Sequence, residues 1–244
     1  MIVPCVRSRF GRQEAALLVH LLERQGEGPA EWQRIVAERG IDPLLDHPAV
    51  ARAILEESGV SRLPLSLVAY VLLRHGLLET GIESRALADY LASLFITFGE
   101  LKRPYRIAPY DDREYHYLVD ILSELSESRG RRAFLLRAHL GNLALWLSGF
   151  FPDWIETRMS RKGGPGLDYY EEMGQTGFAL AADDPYARRE SLDGLFREAA
   201  GSFTGMRRAL NGFSDRFLTP APVSPVDRVL RQVRDSFESR WLQA

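Results

Sequence analysis

Cysteine is almost absent: Cys5 is the only one in 244 residues, which excludes an internal disulfide and any multi-cysteine metal centre. It lies in an irregular N-terminal stretch with no neighbouring base, so it reads as an incidental thiol rather than a nucleophile. A positive charge excess is lacking as well, since 31 Lys and Arg stand against 33 Asp and Glu, for a net charge of −2. Nucleic-acid binders are usually basic or carry a basic face, so no nucleic-acid partner is expected. The opening residues, MIVPCVRSRFGR, do not place a continuous apolar stretch behind a basic one; no secretory signal is read there, and the expected location is the cytoplasm. The longest apolar run, Leu63–Leu78, is about 16 residues with Arg74 and His75 inside it, short of the roughly 20 that a spanning helix needs. It reads as a buried core helix.

Motifs of known chemistry are missing too. The histidines, His20, His47, His75, His116 and His139, stand in no HExxH, ExxH or HxH arrangement, whereas a helical metal site needs inward ligands at i, i+3 or i, i+4. The nearest approach, Glu114-x-His116, points its side chains about 200° apart on a helix. No metal and no cofactor is expected. Ser148-Gly149 follows a helical pattern rather than a strand and makes no nucleophile elbow. The Gly163-Gly164-Pro165-Gly166 stretch lacks the Lys-Ser/Thr of a phosphate loop and reads as a connector.

What is present is helical periodicity. With 45% apolar and 26% charged residues, the composition is that of an ordinary globular chain, and no segment alternates as a half-buried strand would. The expected fold is all-α, a compact multi-helix bundle of about ten helices with a C-terminal amphipathic helix. Pro and Gly punctuate helices over 12–25, 29–39, 49–58 and 64–80, and a wide apolar face marks 84–98. The spacing of Asp111 and Glu114 matches a capping box and predicts a helix to about Ser128. Helices over 132–149, 152–162, 168–182 and 185–217 follow, the last expected to kink or split at Gly201, Gly205 or Gly212. The helical domain spans 1–218, with a subdivision near 101–110. TPAPVSP (219–225) is a Pro-rich linker, and 226–244 is a terminal helix whose Val229, Val233, Phe237 and Trp241 share an apolar side. That side is the candidate surface for a protein partner or self-association.

One apolar stretch carries an anomaly. Arg132–Asp153, RAFLLRAHLGNLALWLSGFFPD, sets His139, Asn142 and Trp146 at spacings of three and four, on one face of a helix that must be buried. Buried polar groups need partners, and Tyr90, Tyr169, Tyr170 and Gln175 are the candidates. These seven residues make either a core network or a small ligand pocket. The Arg129-Gly130-Arg131-Arg132 run sits at a helix start, where positive charge opposes the dipole and invites an anionic partner.

HLGNLALWLSGFFPD, with DYYEEMGQTGF after it and LADYLASLF before it, is similar to an uncharacterised group of bacterial helical proteins. That group has an H-x-G-D-x-x-L-F/W-x-x-G-x-F/Y-P-E core and a Tyr-rich Y-x-x-x-G segment. The likeness covers roughly residues 84–182; Asn142 stands where the pattern carries Asp, and Asp153 where it carries Glu. The resemblance implies a bacterial origin and an all-α fold, and carries no activity. The expectation is therefore a non-enzymatic interaction or scaffold protein; the alternative is a helical small-ligand-binding protein or enzyme with a pocket around His139.

Overall fold

The structure is a computed structural model that describes residues 1–26, 28–56, 63–100 and 103–218. Over these residues the chain folds into thirteen helices and no strand. The expected Pro-rich linker and the terminal helix with Val229, Val233, Phe237 and Trp241 lie outside the described residues.

After a 3₁₀ turn at Arg7–Arg9 come α1 (Arg12–Arg24), α2 (Pro29–Arg39), α3 (Asp42–Leu45), α4 (Pro48–Glu56), α5 (Leu65–Glu79) and α6 (Arg85–Phe98). A second 3₁₀ turn, Arg103–Tyr105, leads to α7 (Leu118–Glu127), α8 (Gly130–Phe150), α9 (Pro152–Lys162), α10 (Leu167–Ala182), α11 (Pro185–Arg189), α12 (Asp193–Gly201) and α13 (Phe203–Leu218). Buried side chains from α1 through α13 join one continuous apolar cluster.

The punctuation works as its chemistry dictates. Gly81 takes the left-handed conformation (φ +81°), so that Gly81 N–H donates to Leu78 and Ile82 N–H to Leu77 at 3.0 and 2.9 Å. This pattern satisfies the last carbonyls of α5 and turns the chain into α6. Ser84 then caps α6, its hydroxyl accepting from Leu87 N–H. The same αL closure ends α11, but there the φ of +56° falls on Ser191 rather than on a glycine.

Three expectations need correction. No helix starts at Asp111: its carboxylate accepts from Arg113 N–H at 3.0 Å and pairs with Arg132, while Tyr115 N–H donates to Tyr105 O at 2.7 Å. With those backbone and side-chain groups committed elsewhere, the start moves to Tyr117, whose N–H is taken by Asp120. The expected 185–217 helix is three helices, α11 to α13: it breaks at Ser191, which no expectation named, and again directly after Gly201, one of the three glycines expected to split it, while Gly205 and Gly212 remain inside α13. The short α3 has no counterpart among the expected elements and, with the two helices added by the splitting of 185–217, brings the count from about ten to thirteen.

The centre of the molecule is α8, buried almost continuously from Ala133 to Phe150. A helix apolar all round must be surrounded, and α10 packs along it at very short range. A Cβ on Gly177 would lie 2.6 Å from Gly141 N, and one on Gly141 2.6 Å from the Phe178 ring. Asn211 of α13 finishes α8 from outside, donating to Ser148 O and Gly149 O at 3.1 and 2.6 Å. Those carbonyls belong to the last turn of α8 and have no intrahelical donor.

Candidate functional site

On α8, the face that sequence singles out is closed. His139, Asn142 and Trp146 are 3%, 2% and 0% exposed, and Tyr90 on α6 is 0%. Asn142 Oδ1 accepts the Tyr90 hydroxyl at 2.6 Å, the one expected pairing that forms. Burial pushes the Tyr90 phenol well above its ordinary range, against the opposing pull of its bond to Asn142. Its ring meets Phe178 and Phe196 edge-on at 6.0 and 6.1 Å.

His139 lies edge-on to Phe98 and Tyr115, centroids 6.1 and 6.2 Å away. Its Nε2 is buried without a hydrogen-bond partner. Burial, reinforced by the positive charges of Arg103 and the N-terminal amine, lowers its pKa from 6.5 to about 3, because desolvation disfavours the imidazolium. Two turns on, Trp146 packs against Phe98 and Phe150 at 5.6 and 4.4 Å, and its Nε1 also lacks a partner.

The remaining expected partners do not join this face. Tyr170 is buried and Tyr169 half-buried, set against each other at 5.6 Å, and neither bonds to His139 or Asn142. Gln175 is exposed. The inward positions of α10 are Tyr170, Gly174, Gly177, Phe178 and Ala181, and position 175, one residue past Gly174, is turned about 100° away from them.

A charged cluster closes the neighbouring end of α8. Glu124, 8% exposed, accepts from Tyr115 Oη at 2.6 Å and Arg132 Nε at 2.5 Å and pairs with Arg113 at 2.7 Å. Arg132 also reaches Asp111 at 2.7 Å. Burial raises the Glu124 carboxyl, but the donors from Tyr115 and Arg132 and the nearby arginines outweigh it and hold the group below its ordinary value. Arg129 donates to the carbonyls of Ser126 and Ser128. Two arginines of the basic run, Arg129 and Arg132, are thus answered inside the chain, while Arg131 is exposed.

An open feature lies elsewhere among the described residues. A cleft of about 660 Å³ runs over α5, walled by α4 and α13. The wall from α4 is Pro48, Ala51, Arg52 and Leu55; the floor is Leu72, His75, Gly76, Glu79 and Thr80; the other wall is Arg208, Ala209, Gly212, Phe213 and Arg216. Each set repeats at three or four residues and is therefore one face of its helix. Gly76 lets α13 approach, since a Cβ there would stand 3.2 Å from Ala209 Cβ. His75 Nε2 lies 3.2 Å from Leu45 O, and burial lowers its pKa despite that bond. Arg216 forms a two-point pair with Glu79 at 2.8 and 3.0 Å. Arg52 and Arg208 have no acidic partner among the described residues, so the rim carries uncompensated positive charge.

Sequence reasoning missed this cleft because none of its residues is unusual. Its one signal is Gly212, a mid-helix glycine facing the cleft with nothing among the described residues within 4 Å of where a Cβ would be. Among the described residues, no group of three or more His, Cys, Asp or Glu could hold a metal ion. No helix among them is long and apolar enough to cross a membrane. The chain matches no protein-family model, no curated protein and no solved structure.

Proposed function

We propose that this is a non-enzymatic interaction protein of the bacterial cytoplasm, and that it engages an amphipathic helix in the cleft between α4, α5 and α13. The observation that carries the reading is the cleft's construction. Its floor extends from Leu72 to Thr80, about 12 Å at 1.5 Å per residue. It is mixed: Leu72 and Gly76 leave a small apolar patch beside His75, Glu79 and Thr80, with Arg52 and Arg208 unpaired at the rim among the described residues. Such a groove suits the helix-in-groove mode, in which an apolar face at i, i+3, i+4 and i+7 fills the floor and charges at the edge fix its direction. The bacterial assignment rests on the resemblance of residues 84–182, and the cytoplasmic one on the near absence of cysteine.

A second reading places a small ligand at the polar face of α8. Its support is the pair of unpartnered polar atoms, His139 Nε2 and Trp146 Nε1, which a ligand's acceptor and donor would satisfy.

Native mass spectrometry of the protein purified from its source distinguishes the two. A retained polypeptide that is lost from a Gly212→Leu variant supports the groove. A retained metabolite, lost from a His139→Leu variant and indifferent to Gly212→Leu, supports the second reading and overturns the first.

A further inference from the structure

Most polar groups that line the cleft already have partners inside the chain. Thr80 Oγ1 donates to Leu77 O at 2.8 Å, closing on its own helix. His75 Nε2 lies 3.2 Å from Leu45 O, and Glu79 is held at two points by Arg216, at 2.8 and 3.0 Å. The lining carries three arginines, Arg52, Arg208 and Arg216, against the single acid Glu79, although over the whole chain 31 basic residues face 33 acidic ones. With Arg216 and Glu79 answering each other, Arg52 on the α4 wall and Arg208 on the α13 wall are left over. Both are exposed, and neither has an acidic partner among the described residues.

That placement says what an occupant must carry. A helix lying between two walls turns its apolar stripe to the floor, and the residues on either side of the stripe face the walls, as the e and g positions of a coiled coil face their neighbours. Here each wall offers a guanidinium, so both flanks gain from carboxylates, which arginine can hold at two points. A lysine or arginine on either flank would meet like charge, and the one carboxylate in the lining is already engaged by Arg216. A single-stranded nucleic acid would also answer the arginines, but its bases need open aromatic faces on which to stack. Among the described residues of the lining the one Phe, Tyr or Trp is Phe213, which is 4% exposed.

We propose that the partner of the α4/α5/α13 groove is an acidic amphipathic helix of another polypeptide, with Asp or Glu on both flanks of its apolar side, one flank toward Arg52 and the other toward Arg208. This rests on the reading of the cleft as a helix-docking groove and names the charge of what docks there.

Selection from a library of helical peptides on the whole chain tests it. Leu is fixed at i, i+3, i+4 and i+7, and the flanking positions vary among Glu, Gln and Lys. Counter-selection uses Gly212→Leu, which fills the cleft without a clash: nothing among the described residues stands within 4 Å of a Cβ at Gly212, whereas at Gly205, two turns earlier, one would meet Ile82 at 2.5 Å. Glu is expected on both flanks, and the selected peptide should bind at least about tenfold more tightly than its Glu→Lys counterpart, with an advantage that shrinks at high salt. Arg52→Glu/Arg208→Glu alters two exposed side chains that have no partner to lose, so its thermal melt should match the wild type while it selects Lys instead; the neutral pair Arg52→Gln/Arg208→Gln should level the preference. Peptides that need an unfilled cleft but show no preference for Glu, or keep that preference on both double variants, overturn the inference and leave the groove reading standing. Oligothymidylate that binds the wild type as tightly as the selected peptide, and is lost from Gly212→Leu, assigns the groove to nucleic acid and also overturns it. A wild type that retains no peptide over Gly212→Leu brings down the groove reading itself, and the inference with it.

Discussion

Tyr90, His139, Asn142 and Trp146 are each no more than 3% exposed, whereas Arg52, Leu55, Arg208 and Arg216 stand in the open around a cleft of about 660 Å³. The first set draws the eye in the sequence because polar groups inside an apolar helix must be reconciled with burial. The second set draws none, being arginine and small or aliphatic residues in ordinary amphipathic patterns. The contrast separates unusual composition from accessibility. On α8 the polar residues are absorbed into packing, incompletely at His139 and Trp146. Around α5, common residues leave a gap between three helices.

The strongest way to break the comparison is to disturb the tight side of it. Gly177→Ala would drive a methyl to within 2.6 Å of Gly141 N and 2.9 Å of Arg137 O, and backbone cannot give way as a flexible side chain does. The expected loss is about 3 kcal/mol, read by chemical denaturation. A loss below about 1 kcal/mol would mean that α8 and α10 re-space readily and that the core is less committed than its geometry implies.

The pH dependence of stability isolates His139. Its folded pKa is depressed to about 3 from 6.5, so an unfolded chain binds a proton in that interval that the folded chain refuses. Its contribution is therefore intact above pH 6.5 and is lost as pH falls from 6.5 toward 3, by about 1.4 kcal/mol per unit. His139→Leu removes this term. Relative to the wild type it should be nearly neutral at pH 7, since Nε2 has no partner to lose, and more stable by about 2 kcal/mol at pH 5. Glu124, held low, and His75, also depressed, titrate in both proteins and cancel in the difference. Equal pH slopes for the two proteins would show that the imidazole is protonated in the fold and that the face is wetter than its burial indicates.

Tyr90→Phe tests the satisfied half of the same face. It removes the donor to Asn142 Oδ1 and strands a buried acceptor, at an expected cost of about 1.5 kcal/mol, visible in a thermal melt. Asn142→Leu on top of it should cost little more. A double variant whose loss is the sum of the two singles would deny the coupling that the 2.6 Å bond asserts.

The sequence made the helices legible wherever Pro and Gly carried the signal, as at Gly81, Pro152 and Gly163, because there one residue's backbone chemistry decides the boundary. It misled at Asp111, where a cap-like spacing was outcompeted by Arg132 across the fold, and at Ser191, which ends α11 in a conformation usually left to glycine. Periodicity and burial alone named Tyr90 as one of four candidate partners for His139 and Asn142; that it takes Asn142, and that the other three do not join, is decided by the packing of α6 and α10. The groove could not be read from either, because it exists only by the relative placement of α4, α5 and α13, and a cavity has no residue of its own. Even Gly212 becomes informative only once its surroundings are known to be empty, since in sequence it looks like Gly205, whose reason is Ile82.

That distinction gives the smallest and sharpest test. If the core glycines are required by contact and Gly212 only by the cleft, then Gly212→Ala should behave opposite in sign to Gly177→Ala. Alanine recovers the helix propensity that glycine forfeits and restricts the unfolded chain, for an expected gain of about 0.5–1 kcal/mol. A single methyl fits inside the cleft where an isobutyl group fills it, so the gain should survive in the full-length chain. Denaturant midpoints of the two alanine variants, measured side by side, check the sign. A loss at Gly212 comparable to that at Gly177 would mean that something lies against this glycine as closely as α10 lies against α8, and the groove would have to be described as part of a packed interface rather than as an open site.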